Sequence, residues 1–357
     1  MDAATVRRDR LRSHRLSAPA GSVADAAAHM LATQGQEFWG GRWALAARTE
    51  GAVTVRDVDA AFDRGEIVRS WTMRGTIHVI PARDLAWVLG VTGERQARQA
   101  AGVRRAESID EAELARAERL AGAALAGGNR LTRKELFAVF EGGGVSTARQ
   151  RGYHLLVALS LRGVVCQGPV VPREGGPTRE QYVVRFDEWV TEGASPADPL
   201  AEFFVRYIDG HGPAGPRDFA WWSGLPVGMA REAAAAASDR LTLVADEPEP
   251  QYVTVSVAPS AAAPEVVALP PFEEYYLSYA DRTVPCAPEF LRAIGPSMNG
   301  IVRPIIVARG EVIGVWTHSV AVGRHADDPI PELFRADAAT DAEVAAALDR
   351  YRAFITA

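Results

Sequence analysis

A helix-start signal that recurs three times constrains this chain more than any other feature. At Thr54 the sequence reads TVRDV and then AAF, at Thr132 TRKEL and then FAVF, and at Gly215 GPRDF and then AWW. Each copy sets a turn or cap residue three positions before a carboxylate, at Asp57, Glu135 and Asp218, and an apolar residue follows directly. A cap residue and a carboxylate at this spacing satisfy the open N–H groups of a first helical turn. The carboxylates stand 78 and 83 residues apart (57 to 135 and 135 to 218). That is the length of a small helical domain, so three copies of one unit are expected.

The segments behind each signal fit the same unit. After the first, apolar-rich strands at 67–73 and 76–80 are joined by the tight pair Arg74-Gly75. After the second, a helix at 147–161 leads to strands at 164–167 and 181–186 around a Gly/Pro-rich tip. After the third, a helix at 226–237 leads to strands at 241–245 and 252–257. Helix, helix and two-stranded hairpin is the order of a winged helix-turn-helix, whose helix enters a major groove and whose wing touches backbone or minor groove. Polar stretches at 104–110, 193–199 and 258–264 separate the units, and the last hundred residues carry strands at 302–308 and 312–317 and an amphipathic helix at 337–354. The expected architecture is α+β: three tandem winged helix-turn-helix domains at residues 1–107, 108–193 and 194–262, then a β-rich segment and closing helix at 263–357.

Composition narrows the function. With 357 residues, 48% hydrophobic and 24% charged, the chain can bury several cores and lacks the bias of disordered or fibrous sequences. A net charge of −6 argues against a uniformly basic nucleic-acid binder but leaves local basic faces open. Of the 39 basic residues only Lys134 is a lysine. The remainder are arginines, whose planar fork suits phosphates and guanine edges. Cys166 and Cys286 lack CxxC or His-rich company, which argues against a disulfide framework and a zinc site. The histidines form no HExxH pair, Ser223 in WWSGL is not a nucleophile elbow, and Gly142-Gly143-Gly144 lacks a following GK[ST] and reads as a turn. No metal or other cofactor is expected. The Arg-rich start has no apolar run, and no later stretch approaches a membrane span, so a soluble, cytoplasmic monomer without a membrane partner is expected.

Four stretches are more specific: RSWTMRGTIHVIPARDLAWVL at 69–89, FAWWSGLP, PPFEEYYLSYADR and NGIVRPIIVARGEVIGVW. Together they resemble the winged-helix family of bacterial AlkZ-like DNA glycosylases over nearly the whole chain. That resemblance implies three tandem winged helices in a C-shaped, DNA-binding concavity. The activity it implies is hydrolytic removal of bulky N7-alkylated purines from double-stranded DNA, including adducts and interstrand crosslinks made by genotoxic natural products. The family's catalytic motif is a pair of glutamines one residue apart, matched here by Gln34-Gly35-Gln36, with Gly35 in place of the usual larger apolar residue. Arg74, Thr76 and His78 on the first wing, with Asp281 and Arg282 in the YADR element, become candidate DNA contacts.

Two carboxamides suit this reaction, although ordinary glycoside hydrolysis uses two carboxylates. An N7-alkylguanine is already cationic, so its glycosidic bond breaks without a general acid. What remains is to hold a water near C1′ and support an oxocarbenium-like sugar, for which amide oxygens and NH₂ groups suffice. On a helix, Gln34 and Glu37 would share a face better than Gln36 and Glu37. Without the resemblance, the glutamines read as an exposed helix end, the first wing as a buried hairpin, and Trp71, Trp87, Trp221 and Trp222 as core. Asp281 and Arg282 are open between a structural ion pair and a place in the concavity. The alternative function is a winged-helix transcription regulator, but such proteins need dimer symmetry or a sensor module, and no effector module is evident here. A Schiff base requires an amine, either a lysine or the α-amine; the only lysine stands about a hundred residues from Gln34 and nothing obvious ties the Arg-rich segment after Met1 to the glutamine pair, so a glycosylase of this sequence should be monofunctional.

Overall fold

The three helix-start signals are hydrogen-bonded as their sequences require. In the computed structural model, which describes residues 1–174, 176–254, 265–317 and 328–356, Thr54 N and Oγ1 both donate to Asp57 Oδ2 at 2.8 Å, and Asp57 N donates back to Thr54 Oγ1 at 3.3 Å. Thr132 and Glu135 repeat the arrangement at 2.8 Å, 2.8 Å and 3.2 Å. Gly215 has no side chain to reciprocate, so only its N–H donates to Asp218 Oδ2, at 3.1 Å, with Pro216 beginning the helix. These caps open helices Val55–Asp63, Arg133–Gly142 and Pro216–Ser223. A fourth box, Thr340 with Glu343, opens the closing helix Asp341–Thr356, which therefore starts four residues later than its amphipathic pattern suggests.

By internal contacts the chain separates into two units, residues 59–199 and a discontinuous unit of residues 1–58 with 200–357. In the first, antiparallel strands run in the order Thr76–Pro81, Ile67–Met73, Val165–Val170, Gln181–Arg185 and Arg130–Leu131. Two hairpins thus share one sheet, joined where Arg69 pairs with Gln167 and its Nη1 donates to Gln167 Oε1 at 2.7 Å. Arg74 and Gly75 both take positive φ, 55° and 70°, which turns the first hairpin in two residues. Leu114, Ala117, Ala121, Leu136, Phe140 and Leu155 fill the core beside the sheet. Two expected boundaries move. Arg149 at φ 57° delays the helix of 147–161 to Arg151–Leu161. Helix Leu85–Ala106 runs into the supposed linker at 104–110, because Arg104 and Arg105 are good helix formers that complement the negative end of the helix dipole.

The discontinuous unit holds a four-stranded antiparallel sheet in the order Ile330–Leu333, Glu311–Thr317, Ile305–Ala308 and Val266–Leu269. The strand expected at 302–308 begins only at Ile305, after Pro304, which lacks an N–H for the ladder. Trp43 from helix Phe38–Ala46 donates through Nε1 to Ala268 O at 2.8 Å, and Trp316 donates to Leu269 O at 2.9 Å. Tyr351 of the closing helix packs edge-on to Trp316 and Trp43, with ring centroids 4.7 Å and 5.4 Å apart. Helices Pro199–His211, Pro216–Ser223 and Val227–Ala236 precede the hairpin Leu241–Ala245 with Gln251–Thr254. The end of the strand expected at 252–257 and the linker at 258–264 lie outside the described residues. No helix among the described residues is long and apolar enough to cross a membrane.

Candidate active site

The glutamine pair does not lie on a helix. Helix Val23–Met30 ends at Leu31, which takes φ 60°. The chain then runs extended through Thr33–Gln34, and Glu37 stands at the N-cap position of helix Phe38–Ala46. The helical spacing used above to pair Gln34 with Glu37 therefore does not apply. Gln34 and Gly35 are buried, whereas Gln36 and Glu37 face solvent. Gln34 is 8% exposed, and its Oε1 has no hydrogen-bond partner among the described residues. A buried acceptor left unsatisfied costs about 1–3 kcal/mol, so this oxygen calls for a donor that the described residues do not supply.

The Gln34 main chain is firmly held. Its N–H donates to Glu274 Oε1 at 2.8 Å, across 240 residues of sequence. The other oxygen of Glu274 accepts Trp222 Nε1–H at 3.0 Å and stands 2.5 Å from Ser278 Oγ, with His211 Nε2 at 3.8 Å. Glu274 is 1% exposed. None of Glu274, Trp222, Ser278 and His211 was singled out for chemistry in the sequence. A signal was present in PPFEEYYLSYADR: two adjacent carboxylates inside an aromatic run must be buried, and buried carboxylates require donors.

The remaining candidates fall in several environments. On the first hairpin, His78 is fully buried and its Nδ1 lies 2.9 Å from Thr72 Oγ1, while Thr76 Oγ1 donates to Met73 O at 3.2 Å. Arg74 Nη2 and Thr76 Oγ1 each lie 3.5 Å from His78 Nε2, so these three residues cluster. Asp281 turns to Thr283, accepting its N–H at 2.8 Å and its hydroxyl at 2.7 Å. Arg282 donates to Gly295 O at 3.4 Å and lies 5.7 Å from the Trp221 ring and 5.4 Å from the Tyr276 ring. Trp71, Trp87 and Trp222 are buried, whereas Trp221 is 46% exposed. Lys134 is exposed in the first turn of its helix. Both cysteines are buried free thiols, and burial raises the Cys166 thiol to about 12, which removes it as a nucleophile at neutral pH. Among the described residues, no group of three or more His, Cys, Asp or Glu side chains is placed to hold a metal.

A second tier of buried polar groups lies behind Gln34 and Glu274. Glu273 forms an ion pair with Arg48, both almost fully buried. Arg48 Nη2 also lies 3.3 Å from His14 Nδ1, and His14 Nε2 lies 2.8 Å from Tyr279 Oη. The single Tyr279 hydroxyl hydrogen goes to His211 O at 2.7 Å, so His14 Nε2 must be the donor to Tyr279 and Nδ1 the acceptor from Arg48. This fixes His14 as a neutral imidazole. Burial, followed by the neighbouring His211, Arg48 and Arg10, holds its pKa well below 6.5. Burial also raises the hydroxyls of Tyr207 and Tyr279, keeping them as neutral donors. In the unfolded chain His14 takes up a proton near pH ~6.5, while in the folded chain it does not. Stability contributed by neutral His14 is therefore complete above that pH and is lost as pH falls toward the depressed folded value, by up to about 1.4 kcal/mol per pH unit. His29, also depressed mainly by burial, adds to the same slope. Urea unfolding at pH 7.5, 6 and 5 should give falling stability; a flat profile would contradict the assignment.

The profile of the family described as DNA glycosylase AlkZ-like matches residues 27–354. No curated protein sequence matches the chain. Among solved structures, the fold is similar to that of the Streptomyces sahachiroi DNA glycosylase AlkZ, with a TM-score of 0.78 at 20% identity, covering 99% of this chain and 97% of that one. Because the family profile spans nearly the whole chain, including the glutamine pair and the Glu274 segment, this protein belongs to the AlkZ-like DNA glycosylase family and is a DNA glycosylase.

Proposed function

We propose that this glycosylase hydrolyses the N-glycosidic bond of bulky N7-alkylated purines in double-stranded DNA, as adducts or interstrand crosslinks, and that Gln34 and Gln36 are its catalytic residues. The observation that carries this reading is the Gln34 amide oxygen, buried without a hydrogen-bond partner among the described residues on a main chain pinned by Glu274. An amide oxygen accepts a hydrogen from water and so aims a water lone pair at C1′. The cationic purine needs no proton donor to leave. Gln36, exposed one residue beyond Gly35, steadies the water or the sugar as positive charge develops there. Gly35 places no side chain between the two amides.

Three helix–hairpin segments, each following a cap signal, support an architecture of three winged helices. In this arrangement Arg74 and Thr76 at the first hairpin tip contact DNA, with buried His78 bracing the turn, and Arg282 contacts DNA beside exposed Trp221. The protein acts as a monomer. Crosslinks and groove-filling adducts are poor candidates for a snug base-flipping pocket, so enlarging the N7 substituent is tolerated. Such lesions arise in general alkylation damage and in a producer's exposure to its own genotoxic product, and self-resistance is the proposed setting. A transcription regulator gives no role to the glutamine pair, and the glycosylase family profile spans the chain, so that alternative is set aside.

Alanine at Gln34 or Gln36 should slow free-base release from duplex DNA carrying N7-methylguanine by at least about tenfold, the loss expected when a positioning group is removed, with little change in DNA affinity. Wild-type rates in both variants would overturn the assignment. Borohydride added during turnover should trap no covalent protein–DNA adduct, because the only lysine, Lys134, lies exposed on a helix about a hundred residues along the chain from Gln34 and nothing in the sequence ties the Met1 amine to the glutamine pair. A trapped species lost in Lys134→Ala would contradict both the monofunctional reaction and the water-positioning role.

A further inference from the structure

We infer that Glu274 is a positioning residue for Gln34, fixing its peptide so that the amide oxygen keeps one place while no protein donor among the described residues occupies it; this rests on the catalytic role proposed above for Gln34. Gln34 Oε1 spends neither of its two lone pairs on a protein donor among the described residues, so that end of the side chain gains no direction from one. What the fold fixes directly is the main chain from which the side chain departs. The Gln34 N–H bond to Glu274 Oε1, 2.8 Å long, does this from a residue with 1% exposure.

Glu274 is itself fixed from several directions. Trp222 Nε1 donates to Oε2 at 3.0 Å from helix Pro216–Ser223, and Ser278 Oγ lies 2.5 Å from the same oxygen, one helical turn along the chain. A buried carboxylate is stable only when donors meet it, and here each oxygen receives an N–H. Glu274 and its neighbour Glu273 serve different partners. Glu273 already serves the buried Arg48, so the pairing of that cation does not account for a second buried carboxylate one residue on. What Glu274 adds is a joint between the extended segment Thr33–Gln34 and the Trp222 helix. A misplacement of about 1 Å in a reacting geometry costs on the order of a hundredfold in rate, so a joint of this kind acts directly on catalysis.

A double-mutant cycle tests it, using single-turnover release of base from a duplex carrying N7-methylguanine, together with duplex affinity and thermal unfolding. Glu274→Ala should slow release about ten- to a hundredfold while duplex affinity changes little. Glu274→Gln keeps an oxygen for the Gln34 N–H and should recover part of the rate; being nearly isosteric, it also serves if the alanine variant does not fold. In a Gln34→Ala background, Glu274→Gln should cost almost nothing more, because the group it positions is gone. A general structural defect would multiply with Gln34→Ala instead, and that result overturns the inference, as would wild-type rates in both Glu274 variants. If Gln34→Ala itself releases base at the wild-type rate, the catalytic role of Gln34 falls and this inference falls with it. A slow Gln34→Ala beside a fully active Glu274→Gln and Glu274→Ala defeats this inference alone.

Discussion

Burying a carboxylate is unfavourable by several kcal/mol unless donors meet its oxygens, and at Glu274 two of the donors come from parts of the chain far apart in sequence. Gln34 N–H, Trp222 Nε1–H and the Ser278 hydroxyl converge on it. Removing it would leave two N–H groups without their acceptor in a dry interior, each at a cost of about 1–3 kcal/mol. The same bonds join the segment before residue 58 to the segments after residue 200, and so help make one unit of two distant stretches. The Arg48–Glu273 pair and neutral His14 continue this polar core beneath the site. Stability and site geometry therefore depend on the same interior groups.

The parts of the fold that were legible in the sequence are those decided within a few residues. A cap needs only Thr132 and Glu135, so the helix starts at Val55, Arg133 and Pro216 could be read directly. The first hairpin was legible because Gly75 adopts positive φ freely in a tight pair between alternating apolar runs. The conformation of the glutamine pair was not. Leu31 ends its helix with a left-handed φ, a conformation that bulky residues seldom adopt and that no local signal announces. The helical premise for Gln34 and Glu37 failed there. Resemblance identified the glutamine pair, but neither resemblance nor periodicity named Glu274, because its role consists of contacts 52 and 240 residues away.

The chemistry matches this environment. A cationic alkylpurine brings its own leaving-group activation, so the protein needs no general acid, and none of the shifts at the site creates one. Burial keeps Tyr207 and Tyr279 protonated and His14 neutral. What the interior supplies is order around one amide oxygen that no protein donor among the described residues occupies. Neutral amides also avoid a strong attraction for the alkylated base before reaction, leaving stabilisation for the moment when charge reaches the sugar.

The most direct measurement is incubation of the wild-type protein with duplex DNA containing N7-methylguanine or a bulkier N7 adduct, with the released material separated by chromatography. Free alkylguanine appearing faster than spontaneous depurination, with the strand left uncut at an abasic site, is the expected result. Tight binding to the damaged duplex without base release, or release accompanied by strand cleavage, would contradict hydrolysis by a water held at Gln34.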